Sequence, residues 1–198
     1  MNHSIKMLLT LTVTAVVMGG VLAGFYKFVE PKIEENRLIE EKLAIMAVVD
    51  GIVDYEIIEV EIEGKKGPEI LQLFRGVDGE GKLVGYAFLA KGPGFAGIIS
   101  MMVGLKVDLK HLSGMKVLEQ IETPGLGNKI VEEKFDGQFR GLAIEPKIEY
   151  IKNKKPFKPN QIQAITGATI SCVAVVDALN NRIVIVLDVI ANLESGGK

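Results

Sequence analysis

The sequence predicts an α+β protein with one N-terminal membrane-spanning helix and a central, mostly antiparallel sheet flanked by helices. Three observations support this prediction. An apolar run without charged residues occupies 7–25, segments with the alternating pattern of strands fill the middle of the chain, and an apolar helical pattern closes it at 171–193. Strands in the middle of a chain with helices at both ends are typical of the α+β class.

The composition excludes several classes of protein. The chain has 198 residues with 23 Lys+Arg and 25 Asp+Glu, so it offers no strongly basic surface for nucleic acid. With 48% hydrophobic and 24% charged residues it is globular rather than disordered. One Cys and two His predict no metal site and no disulfide within the chain, so any redox chemistry would use an organic cofactor. We expect Cys172 to be a small buried hydrophobe and His111 to lie in a surface loop.

The apolar run at 7–25 predicts a transmembrane helix, because about 20 apolar residues cross the hydrocarbon core of a bilayer. Tyr26 and Phe28 follow the run, where aromatic side chains anchor a helix at the membrane surface. A cleaved signal peptide is the alternative, with Lys6 as its positive region and 21–23 as a small-residue cleavage site. We favour a retained anchor because the apolar run continues beyond residue 23. Basic residues flank the run on both sides and leave its orientation open.

By this pattern the chain has three parts: a membrane anchor at 1–29, an amphipathic connecting helix at 30–50 and a single domain at 51–198. Pro31 suits the first position of the connecting helix, because a residue there needs no N–H for a helical hydrogen bond. Asp50-Gly51 would end this helix.

The domain begins with strand patterns and ends with a helical one. Ile58, Val60 and Ile62 alternate with glutamates, which predicts a strand with one exposed face. Asp78-Gly79-Glu80-Gly81 is typical of a β-hairpin turn. The remaining predicted elements are strands at 70–75, 83–90, 98–107 and 115–122, a short helix at 129–135, a strand at 144–151 and a long, mostly buried helix at 171–193.

Two segments contain residue types that core packing does not explain. The first is Glu122-Thr123-Pro124-Gly125-Leu126-Gly127, between a predicted strand and the short helix. Proline and glycine fix a tight loop there, and the backbone N–H groups of such a loop can face a ligand. The alternative is an ordinary turn between a strand and a helix.

The second segment is Thr166-Gly167-Ala168-Thr169, which precedes Ser171 and the long helix. The free N–H groups and the positive dipole end of a helix N-terminus bind phosphate, and small residues leave that backbone uncovered. The alternative is a capping motif, in which Thr169 or Ser171 accepts a hydrogen bond from an amide of the first turn.

Together, and behind one apolar span, these segments resemble those of the G subunit of the Rnf-type ion-translocating electron transport complex. More broadly, the sequence is similar to the FMN-binding domain that the G subunit shares with the C subunit of the sodium-pumping NADH:quinone reductase. The resemblance extends over nearly the whole chain and also includes Gly85-Tyr86-Ala87-Phe88 and the sequence VGLKVD at 103–108.

The resemblance implies that FMN is attached covalently. The family's motif reads Asp-x-x-(Ser/Thr)-Gly-Ala-(Thr/Ser), and its last hydroxyl, here that of Thr169, carries FMN through a phosphoester bond. Gln163 stands where the family has Asp, which would lower the efficiency of attachment if that Asp assists the transferase. The residues implied to surround the phosphate are Thr166, Gly167, Ala168 and Ser171, and those implied to meet the ring or the ribityl chain are Glu122, Thr123, Pro124 and Gly125.

The resemblance further implies an electron-carrier subunit, not catalytic alone, of a complex that couples ferredoxin and NAD to ion movement. It would contact other membrane subunits, depend on a flavin transferase for maturation, and hold its domain on the extracytoplasmic side of the cell membrane. Two alternatives remain within the flavin class, namely a component of the related sodium pump and a stand-alone extracytoplasmic reductase. A third, of another class, is a membrane-anchored assembly protein without a cofactor.

Overall fold

The computed structural model describes residues 3–64 and 67–196. The chain divides into two compact units, residues 1–40 and 41–198. The described part of the first unit belongs to helix α1, which comprises His3–Val48. This helix is long and apolar enough to cross a membrane, and 0% of its apolar window is buried. It is therefore a candidate span, as the sequence predicts.

The apolar run of α1 accommodates threonines because their hydroxyls bond to the helix itself. Thr10 donates to the C=O of Lys6 and Thr12 donates to the C=O of Leu8, each at 2.9 Å. A hydroxyl satisfied in this way presents no unpaired donor to a lipid environment. These side chains are thus compatible with a membrane-spanning helix.

Pro31 lies inside α1 and does not begin a second helix, which differs from the prediction. Proline lacks the N–H that would bond to the C=O of Lys27, so one helical hydrogen bond is missing. The helix continues because the residues after Pro31 are mostly Glu, Lys, Leu, Arg, Ala and Met, which are strong helix formers.

The second unit is built on a five-stranded antiparallel sheet, which confirms the predicted α+β class. Its strands are β1 (Asp54–Gly64), β2 (Gly67–Val77), β3 (Leu83–Pro93), β4 (Ile98–Lys106) and β5 (Leu112–Glu119). They follow one another in the order of the sequence, so that each strand pairs with the next. A separate pair of short parallel strands consists of β6 (Glu149–Ile151) and β7 (Gln161–Gln163).

One face of the sheet is covered by helix α3, Thr169–Gly196. Phe88, Val103 and Leu179 are fully buried in the core between them. Although α3 is apolar enough to cross a membrane, 50% of its apolar window is buried within the protein, as expected of a core helix. A Cβ atom at Gly92 would lie 2.7 Å from the Cβ of Ala178, so glycine is what lets β3 approach α3 this closely.

The opposite face is covered by the end of α1. Ala44, Ile45 and Val48 are buried there, in a cluster that also contains Phe74 and Met102. Because these residues lie within the second unit, they belong to its core rather than to the apolar run. The central strands β3 and β4 are thereby buried on both faces.

Two segments between the sheet and α3 differ from the prediction. The predicted helix at 129–135 is a 3-10 helix, Gly127–Val131, followed by the short helix α2, Glu133–Asp136. The predicted strand at 144–151 forms only as β6, since Pro146 has no N–H for a ladder hydrogen bond.

Candidate functional site

The two segments singled out in the sequence form β-turns of the same kind. In the turn 123–126 the N–H of the last residue donates to the C=O of the first at 3.2 Å, and in the turn 165–168 the same bond measures 3.1 Å. The third residue of each is a glycine with a positive φ, +76° at Gly125 and +84° at Gly167. This conformation is that of a type II turn, which requires glycine at its third position.

The structure brings these two turns into contact. A Cβ atom at Gly167 would lie 3.2 Å from Cδ2 of Leu126, so the leucine of one turn packs over the glycine of the other. Thr123, Pro124 and Gly125 are exposed. The first turn therefore presents its residues to solvent directly beside the second.

Glu122 is buried and connects three segments. Its side chain accepts hydrogen bonds from the hydroxyl of Ser171 and, at 2.9 Å, from the N–H of Ala96. Burial alone would raise the pKa of Glu122, but bonds from Ser171 and from N–H groups of the loop 95–97 outweigh it and lower the pKa below its ordinary value. The carboxylate thus stays charged and is engaged by the protein itself.

The hydrogen bond between Ser171 and Glu122 leaves no space for a side chain at Gly127. A Cβ atom there would lie 2.7 Å from Oγ of Ser171 and 2.8 Å from Oε2 of Glu122. Gly127 is therefore needed for close packing, whereas Gly125 is needed for the positive φ of the turn.

Thr169 is the first residue of α3 and is half-buried. Within 3–64 and 67–196 its hydroxyl has no hydrogen-bond partner, and the hydroxyl of Ser171 bonds to Glu122 rather than to an amide of the first turn. The capping alternative is thus not what the structure contains. The first helical bond runs from the N–H of Cys172 to the C=O of Ala168, which leaves the amides of 169–171 available to a ligand.

A groove of about 810 Å³ opens beside Thr169, between α3, the end of β3 and the β1–β2 hairpin. Its volume lies in the range of small-molecule sites, which is roughly 300–1,000 Å³. Arg182 forms a 2.7 Å ion pair with Glu69 at this groove. Charged and aromatic residues that line it include Lys91, Tyr150, Lys152 and Asp177.

Apolar side chains are exposed on each of the segments that Glu122 connects. Phe95 is 66% exposed, Leu126 is 46% exposed and Ile170 is 57% exposed. Exposed apolar side chains on segments that meet at one buried carboxylate offer apolar surface to a ligand or a partner. The loop with Phe95 was not among the predicted site residues, although the Pro93-Gly94 pair marks it as a turn.

The remaining sequence predictions lie close to this site or on the surface. Cys172 is fully buried, as predicted, and burial raises the pKa of its thiol. His111 lies on the surface, as predicted, with its Nδ1 2.7 Å from Asp108. The side chain of Gln163 is exposed, while its backbone bonds to Gln138.

A family model described as FMN-binding domain matches residues 94–184, a range that contains both turns and Thr169. The chain is similar to the G subunit of the ion-translocating oxidoreductase complex of Methanosarcina acetivorans, with 30% identity over 178 residues that cover 90% of this chain and 92% of the relative. It is also similar to the G subunit of the Na(+)-translocating ferredoxin:NAD(+) oxidoreductase complex of Acetobacterium woodii, with 34% identity over 66% of this chain and 62% of that protein.

Two solved structures share the fold. Shewanella oneidensis NqrC matches with a TM-score of 0.54 and 20% identity, over 66% of this chain and 64% of that one. The C subunit of the Na(+)-translocating NADH-quinone reductase from Parabacteroides distasonis matches with a TM-score of 0.52 and 21% identity, over 66% and 73%. The identity to the Methanosarcina protein along almost the whole of both chains shows that this chain belongs to the G-subunit family of Rnf-type ion-translocating oxidoreductase complexes.

Proposed function

We propose that this chain is an electron-transfer subunit of a membrane-bound, ion-translocating ferredoxin:NAD oxidoreductase complex, and that it carries FMN through a phosphoester bond to Thr169. The observation that carries this proposal is the hydroxyl of Thr169, which has no partner among the described residues and stands at the start of α3 beside two touching turns. The family membership of the chain supports the same function.

The residues around Thr169 fit a phosphate group. The amides of 169–171 make no helical bond, and the positive end of the α3 dipole favours an anion there. Gly167 is exposed next to this backbone, whereas Ala168 is buried. Lys152 lines the same groove as Thr169 and supplies a positive charge. Thr166 is exposed beside them, whereas the Ser171 hydroxyl is buried and donates to Glu122, so Ser171 would contribute its backbone N–H to the phosphate.

The surface beside the turns fits a flat, apolar ring. Thr123, Pro124 and Gly125 are exposed and, as the resemblance implies, would meet the ring or the ribityl chain. Leu126 and Phe95 add apolar surface next to them. Glu122, which the resemblance places against the ring or the ribityl chain, is buried, and its carboxylate instead fixes the segments that present these side chains. FMN bound here would supply one-electron redox chemistry, which the side chains of this chain do not provide.

Attachment requires a second protein. A threonine hydroxyl is a weak nucleophile without a base, and no histidine or lysine within the described residues bonds to Thr169. We therefore propose that a flavin transferase modifies Thr169 with FAD as the donor. The other membrane subunits of the complex are the partners in electron transfer.

The proposed arrangement in the cell follows the sequence division into an anchor at 1–29, a connecting helix at 30–50 and an FMN-binding domain at 51–198. The uncharged run in α1 supports a single membrane span. Placement of the domain on the extracytoplasmic side rests on the resemblance to the family. Covalent attachment would keep the cofactor from dissociating there.

Flavin fluorescence in a denaturing gel tests the covalent bond. We expect the full-length protein, produced together with a flavin transferase, to give a fluorescent band that survives boiling in detergent. Thr169→Ala should abolish the band and Thr169→Ser should retain it, while Ser195→Ala is the matched control, since it removes an exposed hydroxyl at the other end of α3. A fluorescent band that persists in Thr169→Ala would contradict the assignment.

Two further observations separate the alternatives. A colourless protein without flavin absorbance would favour the cofactor-free assembly protein. Copurification with components of a sodium-pumping NADH:quinone reductase would favour a subunit of that pump. Purification without any other membrane protein would favour a stand-alone reductase.

A further inference from the structure

The side chain of Gln138 holds the backbone of Gln163 by two hydrogen bonds. Its Oε1 accepts from the N–H of Gln163 at 2.7 Å, and its Nε2 donates to the C=O of the same residue at 3.2 Å. A carboxamide therefore supplies the donor and the acceptor that a neighbouring strand would offer to the outer edge of β7.

The residues between Gln163 and Thr169 are held as well. The N–H of Ala164 donates to the C=O of Ile151 at 2.9 Å, and the N–H of Ile165 donates to Sγ of Cys172 at 3.3 Å. The turn 165–168 closes with its own hydrogen bond. The segment that leads to Thr169 is thus fixed nearly residue by residue, and Gln138 provides the first bonds of this series.

Gln138 is itself well placed for this purpose. It belongs to a 3-10 turn, Gly137–Phe139, in which Phe139 is fully buried, so the backbone of the turn is anchored in the core. Its Nε2 also lies 3.2 Å from the C=O of Lys134. The anchored turn and the bond to Lys134 already restrict the rotamers of the Gln138 side chain. The side chain therefore loses less conformational entropy when it binds Gln163.

We propose that Gln138 is a positioning residue for flavin attachment: by holding the backbone of Gln163 it fixes the segment that presents the hydroxyl of Thr169 to the transferase. This inference rests on the proposed function. Its physical basis is preorganisation, since a hydroxyl that is already held in place loses less conformational entropy on reaching the transfer geometry. Gln138 acts through Gln163 and does not contact the flavin in this account.

The experiment compares four variants of the full-length protein in detergent micelles, produced without flavin. Gln138→Ala removes both bonds, Gln138→Asn keeps the carboxamide but is one methylene shorter, and Gln138→Glu keeps only the acceptor for the N–H of Gln163. Gln72→Ala is the matched control, because it removes a half-buried glutamine that bonds to Glu59 at 2.9 Å, far along the sequence from the motif.

Two quantities are measured for each variant, together with its unfolding temperature. The first is hydrogen exchange of the peptide that covers 161–169. The second is the initial rate at which a flavin transferase with FAD adds the mass of FMN. We expect exchange in Gln138→Ala and Gln138→Asn to accelerate about tenfold and attachment to slow about three- to tenfold, with Gln138→Glu intermediate and Gln72→Ala unchanged.

The outcomes separate this inference from the proposed function. If the wild-type chain gains FMN and all Gln138 variants gain it at the wild-type rate, or if their exchange at 161–169 is unchanged, the positioning role is wrong and the proposed function stands. If the wild-type chain gains no FMN, the proposed function fails and this inference fails with it. Should Gln138→Ala not fold, the attachment rates of the other two Gln138 variants decide. A rate that falls from the wild type through Gln138→Glu to Gln138→Asn supports the positioning role, and wild-type rates in both contradict it.

Discussion

The carboxylate of Glu122 accepts a hydrogen bond from the hydroxyl of Ser171, and both side chains are buried, at 4% and 2% exposure. Glu122 precedes the turn 123–126, and Ser171 lies in the first turn of α3. This buried bond therefore joins the two segments that the sequence analysis singled out. It makes the position of Thr169 depend on Glu122, although the two residues are far apart in the chain.

Loss of the Ser171 hydroxyl should destabilise the fold. Ser171→Ala leaves a buried carboxylate with one donor fewer, and a buried group deprived of a partner costs about 1–3 kcal/mol of unfolding free energy. Chemical denaturation of the full-length protein in detergent measures this cost. The matched control is Ser195→Ala, whose hydroxyl is exposed at the other end of α3 and bonds only to the C=O of Asn192. Equal stability of the two variants would contradict the role assigned to the buried bond.

Glu122 should also contribute a pH-dependent part of the stability. Its pKa in the folded protein lies below the ordinary value of 4.5, so the contribution is fully present above that value and is lost as the pH falls through the lowered folded pKa. We expect Glu122→Gln to be less stable than the wild type at neutral pH, and the difference to shrink in acid. Unfolding free energies measured along a pH series test this. A difference that is constant with pH would exclude a charged, hydrogen-bonded Glu122.

The two turn glycines should differ in their tolerance of a side chain. Alanine at either position must adopt a positive φ, which costs about 1–2 kcal/mol for a non-glycine residue. A Cβ atom at Gly125 meets nothing within 4 Å, whereas one at Gly167 meets Leu126 at 3.2 Å. Gly167→Ala should therefore lower the unfolding free energy more than Gly125→Ala. The double variant Gly167→Ala with Leu126→Ala should recover part of the difference, and an equal cost at both positions would contradict the contact between the turns.

Restoring the family's acid at position 163 should accelerate flavin attachment. The side chain of Gln163 is exposed and its backbone is held by Gln138, so Gln163→Asp changes the chemistry without changing the fold. We expect this variant to gain the mass of FMN faster than the wild type at a limiting concentration of transferase, while Gln163→Asn, which has the same size without the charge, does not. If both variants match the wild type, the acid has no part in attachment.

Sequence patterns were sufficient for the sheet and for the long helix. Alternation at Ile58, Val60 and Ile62 predicts a strand that the structure extends to Asp54–Gly64, and the helical spacing after Ser171 predicts α3 within a few residues of its ends. The turn at 78–81 is confirmed by the N–H of Gly81, which donates to the C=O of Asp78 at 3.0 Å. These elements are set by local preferences and by apolar patterns of helical or strand period, which a sequence displays directly.

The interior of the site could not be predicted in the same way. The resemblance placed Glu122 and Ser171 near the flavin, but their bond to each other depends on how the end of the sheet meets α3. Gln138 carries no signal in the sequence, because an isolated glutamine is ordinary on a surface, and only the fold brings it to Gln163 across 25 positions. Strand β7 was missed since three residues are too few for a periodic pattern.

The most direct test of the central claim is a mass measurement that locates the flavin along the chain. The full-length protein, purified from cells that contain a flavin transferase, is digested, and the peptide that includes Thr169 is fragmented. We expect the mass of one FMN on the side chain of Thr169, absent in Thr169→Ala and unchanged in Ser195→Ala. An unmodified Thr169 in protein that has been exposed to active transferase and FAD, or an FMN located on another residue, would contradict the account.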